Sequence, residues 1–194
     1  PFKEGSDLIQ RARNTAKEFS FSKRCMALFD IAKTNRNPQL RPQLPICTTR
    51  IAPIQRLLVS MLRMKKSYVE YFDKNSARVE NLKESERVQK LKLPSAGWET
   101  LVEFESIANR CAVLSFFSQN EKQMLAGYTL VIKNGLINEL KSGHLMVLDI
   151  DDMMSNPSAN TNNTDLPRVR KAVNTFSDIG KTAVRRAIDE LNER

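Results

Sequence analysis

One histidine, one tryptophan and three cysteines are all that 194 residues provide of several side chains most often recruited for catalysis, metal binding and covalent bracing. With His144 alone, a Ser-His-Asp or Cys-His device has a single imidazole to work with, and no GxSxG elbow offers it a nucleophile. His144 is read instead as a helix-end residue interacting with free carbonyls. Cys25, Cys47 and Cys111 are odd in number, far apart and without CxxC or CxxH spacing. Neither a disulfide framework nor a zinc knuckle is indicated, and a reducing compartment is expected. No apolar run approaches about 18 residues, and no charged-then-apolar leader is present, so neither a membrane span nor secretion is predicted. Trp98 lacks the aromatic company of a base-stacking surface and is expected to be a core anchor.

What the chain does have is ordinary globular composition, 41% apolar and 27% charged, and an uneven net charge of +9. Residues 1–92 hold 20 Lys/Arg against 9 Asp/Glu, a balance of +11, while residues 93–194 hold 11 against 13, a balance of −2. A basic half joined to a near-neutral one suggests a footprint for a polyanion on one side; the competing reading is a set of solvated helix faces.

Apolar spacing predicts a mainly α protein, with helices near 6–19, 22–33, 53–73, 98–118, 121–141 and 167–193, a charged helix at 76–92, and at most one or two short strands. Leu8, Ala12, Ala16 and Phe19 form the stripe of the first helix. Met26, Phe29 and Ala32 or Lys33 stand at helical spacing in the second, with Ser22 as its candidate cap. Three prolines, Pro38, Pro42 and Pro45, make the next segment a connector, and residues 46–50 are a short strand or an extended lead-in. Pro53 suits the first turn of the following helix. There Ile54, Leu57, Leu58, Met61, Leu62, Val69 and Phe72 form one apolar face, which leaves Arg56, Arg63, Lys65 and Lys66 beside it. Helices 98–118 and 121–141 suit an antiparallel pair, with Val131 among the inward residues of the second, and Gly143 fits a position of positive φ after it. The run "HLMVLDI" is strand or buried turn, "MSNPSANTNNTD" a polar loop, and the last helix turns Val169, Val173, Phe176, Val184, Ile188 and Leu191 inward.

Two short motifs invite chemistry. "GKT" at 180–182 ends like a phosphate-binding loop, but residue 175 is Thr where that loop needs Gly, and no strand precedes it. A glycine required by close packing or a kink in the last helix is the simpler reading. Asp149 and Asp151 would share one side of an extended chain, as a magnesium-holding pair does, but no glycine-rich loop or third carboxylate accompanies them, and a solvated acidic turn is expected. No catalytic, cofactor or metal site is therefore predicted within these residues.

In order along the chain, four stretches together resemble the hAT superfamily of DNA transposases. "LIQRARNTAKEFSFSKRCMALFD" is similar to the stretch after that family's second catalytic Asp, and "CTTRIAPIQRLLVSMLRMKKSYVEYF" to its Thr-Arg-Trp-x-Ser motif and the helix behind it. "GWETLVEFESIANRCAVLSFFSQ" resembles the Trp-led helix that follows, and "FSDIGKTAVRRAIDELNER" the entry to the return helix. The resemblance implies a transposable-element origin, a nuclear location, and residues 1–50 at the edge of an RNase H-like core with 51–194 in its helical insertion domain. It places Arg50 at the Arg of the Arg-Trp motif, with Ile51 departing from the Trp that would stack on an unpaired base. It also implies magnesium-dependent catalysis by two Asp and one Glu, two before Pro1 and one beyond Arg194, so that these residues read as a catalytically incomplete piece of a longer protein. The implied partners are DNA, bound weakly and without sequence preference, and other copies of the chain, with no membrane and no small-molecule substrate. Arg50, Arg56, Arg63, Lys65 and Lys66 are the expected DNA contacts; the alternative is a helical protein-interaction module whose charge is incidental.

Overall fold

The structure, a computed structural model, describes residues 2–21, 23–37, 39–45, 50–75, 82–119, 126–155 and 166–193. It is mainly helical. In chain order come α1 (Lys3–Phe21), α2 (Arg24–Thr34), α3 (Ile51–Arg63), α4 (Lys65–Asn75), α5 (Leu82–Leu91), α6 (Ser95–Gln119), α7 (Ala126–Lys141), β1 (His144–Leu148), α8 (Ile150–Ser155), β2 (Arg168–Ala172) and α9 (Asp178–Glu193). The expected lead-in at 46–49, the cap Ser22, Val79 of the charged helix and most of the polar loop fall outside the described residues.

The stripe of α1 lies as its spacing predicts, with Ala12, Ala16 and Phe19 fully buried and Leu8 packed against them. In α2 the inward residues are Leu28 and Ala32, while Met26 is exposed and Phe29 half-buried. Over 11 residues two stripes compete, and the one containing Asp30 and Lys33 stays wet. The proline-rich connector is pinned to α3 by Ser60, whose buried Oγ accepts hydrogen bonds from Gln39 Nε2 and the Gln43 amide, each at 2.7 Å.

The helix expected at 53–73 is two. Met64 leaves helical geometry at φ −98°, ψ 4°, its amide shared between the Ser60 and Met61 carbonyls at 3.2 Å. The break re-aims α4 so that Tyr68 and Phe72 meet the ring of Phe19 edge-on, at centroid distances of 5.2 and 5.9 Å, and Tyr68 reaches Trp98 at 6.1 Å. Trp98 is a core anchor, whereas Val69 turns outward. α3 itself is central: every residue from Leu57 to Met64 is buried, and its most extensive partner is α6.

Residues 167–177, expected as the start of the last helix, instead form β2 and a 3-10 turn at Val173–Thr175. β2 pairs antiparallel with β1, His144 opposite Ala172 and Leu148 opposite Arg168. The tertiary partner decides here: β1 buries Leu145 and Val147 against α6, and its free edge supplies the backbone partners that a lone RVRKA sequence would otherwise find in a helix. Val169 is consequently exposed, while Phe176 and Val184 still join Ile107, Leu136 and Leu140 in a second apolar cluster. α7 packs on α6, with Arg110 paired to Glu139 at 2.8 Å, and Gly143 has φ +74° after it. Val131, expected inward, is exposed.

Tyr68 carries a measurable consequence. Its hydroxyl is buried and has no hydrogen-bond partner among the described residues. Burial, reinforced by the nearby Cys25, pushes the phenol far above its ordinary value of 10.0. In the folded chain the phenol stays protonated while the unfolded chain ionises, so stability is intact below pH 10 and falls by about 1.4 kcal/mol per unit above it. Tyr68→Phe removes an unsatisfied buried hydroxyl and is expected to leave stability at pH 7 equal or raised by about 1 kcal/mol, with that share of the alkaline slope gone. Urea titrations at pH 7 and 10.5 check it; an unchanged difference between the two pH values would show that Tyr68 ionises in place.

Candidate nucleic-acid interface

The five expected cations do not share one face. Arg50 is exposed at the N-terminal boundary of α3 in extended geometry, and Arg56 is exposed within the helix. Lys65 and Lys66 follow the other end, about 20 Å away by helix rise. Those two border a cleft of about 770 Å³ between α4 and α8 that also contains Glu70, Asp73 and Asp151, which offset their charge. Arg63 is the clear departure. It is only 6% exposed, and burial pushes its guanidinium below the usual range. From Leu57 onward the helix is covered on all sides and has no flank on which to leave a cation, so Arg63 is buried rather than on an open face. Ile51 opens α3 and packs against the main core.

A more concentrated basic site lies where α1, α2 and α5 meet. Asn14, Lys17, Glu18 and Phe21 stand at positions i, i+3, i+4 and i+7 of α1, one face of a helix, and line a cleft of about 930 Å³ together with Lys23, Arg24 and Arg87. Four cations face one carboxylate. Glu18 accepts from Arg24 and, at 2.6 Å, from Arg87, so it ties α5 and the start of α2 to α1. Tyr71, held edge-on to Phe19 at 4.7 Å, is buried at its base, and Phe21 stands at its border 79% exposed. The members are spread over 74 positions of sequence, which is why only the charge tally of the basic half pointed to them.

The residues that invited catalytic readings have structural roles. Asp149 Oδ1 accepts the Asp152 amide at 3.0 Å and so caps α8; Asp151 is exposed on that helix, not beside Asp149 on a strand. Among the described residues no group of His, Cys, Asp and Glu is arranged to hold a metal. His144 is exposed at the start of β1, its Nδ1 3.4 Å from the Ser142 carbonyl oxygen. Burial raises the Cys111 thiol above its ordinary value, which keeps it protonated.

Two buried carboxylates escaped the sequence reading. Glu105, wholly buried on α6, accepts both guanidinium nitrogens of Arg168 at 2.8 and 3.0 Å and Gln55 Nε2 at 3.1 Å. Glu103, 2% exposed, accepts the Ser177 amide at 2.9 Å and its hydroxyl at 2.6 Å, with Lys171 at 3.6 Å. The available signal was their position on either side of Phe104, inside the buried stretch of α6. No protein-family model, curated protein or solved structure matches the chain.

Proposed function

We propose that the chain is a helical, transposase-derived module that contacts DNA through its basic half and carries no catalysis of its own. The observation that carries the DNA contact is the confinement of excess positive charge to residues 1–92, +11 against −2 in the remainder. Exposed Lys17, Lys23, Arg50, Arg56 and Lys66 and the cleft at α1, α2 and α5 support it. The ordered stretches similar to hAT transposases supply the origin, the nuclear location and the possibility of assembly with further copies, all within the proposal. The second reading, a protein-interaction module, draws on Val113, Leu130 and Val131, which expose apolar surface on α6 and α7.

Counterion release separates the two readings. Each Lys or Arg seated on a duplex phosphate steepens the log–log dependence of affinity on salt by about 0.9. Titration of a labelled duplex over a series of salt concentrations is expected to give weak, sequence-indifferent binding with a steep negative slope. The Arg50→Ala, Arg56→Ala, Lys65→Ala, Lys66→Ala variant should shallow that slope. Binding that ignores salt, or none at low salt, gives the interaction-module reading first place.

A further inference from the structure

The cleft at α1, α2 and α5 combines two features that a duplex backbone alone does not need. One is its charge, with four cations around a single carboxylate. The other is an aromatic ring left open: Phe21 is 79% exposed on the last turn of α1 and has no ring partner among the described residues. A large apolar ring kept in water costs free energy unless something covers it, and here Lys17, Lys23 and Arg24 line the same cleft as Ala27, Tyr71 and Leu91.

We infer that this cleft binds single-stranded nucleic acid, with the phosphates following Lys17 and Lys23 and one unpaired base stacked on Phe21. The inference rests on the DNA-contact reading and names the strand state it favours. Bases in a duplex are stacked on each other and offer no π-face to a ring on a protein surface; an unpaired base offers one whatever its identity. Lys17 lies one turn before Phe21 on the same face, so a phosphate on Lys17 and a base on Phe21 belong to adjacent parts of one strand. Glu18 works against any anion entering the cleft, but its carboxylate is already shared by Arg24 and Arg87, which leaves Lys17 and Lys23 to provide the attraction at the mouth. A concave site with a carboxylate at its base suits a strand better than a flat anionic membrane.

The test uses the full chain with fluorescent oligothymidylate and a duplex of equal length. Phe21→Ala, at a position too exposed to affect folding, is expected to weaken single-strand binding roughly 5- to 100-fold, to leave the salt slope unchanged, and to alter duplex binding little. Phe21→Trp should retain or strengthen single-strand binding. Lys17→Ala with Lys23→Ala should instead shallow the single-strand slope by about 0.7 for each phosphate that no longer meets a cation. If duplex binding persists with its salt slope while Phe21→Ala changes nothing, the single-strand inference falls and the wider DNA reading stands. If neither nucleic acid binds, both fall. If Phe21→Ala abolishes binding to vesicles of anionic phospholipid and leaves oligothymidylate untouched, the ring serves a membrane surface and the inference is overturned.

Discussion

Glu105→Ala is expected to lower folding stability by about 3–5 kcal/mol, the usual result of stripping one partner from a buried ion pair. Against the 5–15 kcal/mol typical of a whole domain, that is a large fraction of the total. The cost arises from what remains. Arg168 would keep its guanidinium in a site where the carboxylate supplied two hydrogen bonds, with the Met146 carbonyl, 3.2 Å away, still accepting from it. Gln55 Nε2 would lose its 3.1 Å acceptor and keep a longer contact to Asn109. Because the pair joins α6 to β2 and, through Gln55, to α3, its loss should be cooperative, appearing as a lower urea midpoint with the m-value unchanged. The Glu105→Leu, Arg168→Met double variant should recover most of the loss, since a well-packed apolar pair of similar volume avoids the desolvation of both charges. A single-variant cost below about 1 kcal/mol would mark the pair as solvated and nearly neutral.

This buried pair also shows where the sequence stops being readable. Spacing locates an inward stripe when a helix has one wet side, as for Ala12, Ala16 and Phe19 of α1. It fails for the second half of α3, where Ser60 and Arg63 are covered because every residue from Leu57 to Met64 is buried. Burial there is a property of what packs around the helix, and no pattern within 51–63 states it. The same limit moved the start of the last helix: Arg168–Ala172 becomes a strand because β1 presents an open edge, and that edge is set 20 or more residues earlier in the chain. The candidate site was legible only as an excess of charge. Lys17, Lys23, Arg24 and Arg87 converge through the packing of α1 against α2 and α5. Glu18 was visible as an acidic residue, but its role in holding two of those cations depends on a contact across 69 positions.

Gly180→Ala is expected to cost about 2–3 kcal/mol, although it places the best helix former inside a helix where glycine is normally the weaker choice by about 1 kcal/mol. The reason is the way α9 begins. Ser177 caps it, its Oγ accepting the Gly180 amide at 3.0 Å, as the first half of a capping box requires. In such a box the residue at Gly180's position would be Glu or Gln, reaching back to the cap's own amide. Here Glu103 of α6 accepts the Ser177 amide at 2.9 Å, so the carboxylate comes from another helix and occupies the space beside position 180. A Cβ on residue 180 would overlap Glu103 Oε2 and lie 3.0 Å from its Cδ. Glu103 has little freedom to withdraw, because retreat breaks its bonds to the Ser177 amide and hydroxyl in a site 2% exposed to water. The glycine that opens "GKT" is thus required by a carboxylate rather than by a phosphate. The two residues should then be strongly coupled: Glu103→Ala alone leaves the Ser177 amide without its acceptor, but in that background Gly180→Ala no longer meets the carboxylate and has only the Ser177 Oγ to accommodate, at 3.2 Å, so its cost should largely disappear. Equal costs of Gly180→Ala with and without Glu103, measured in a urea double-mutant cycle, would show that the carboxylate does not set the residue at 180.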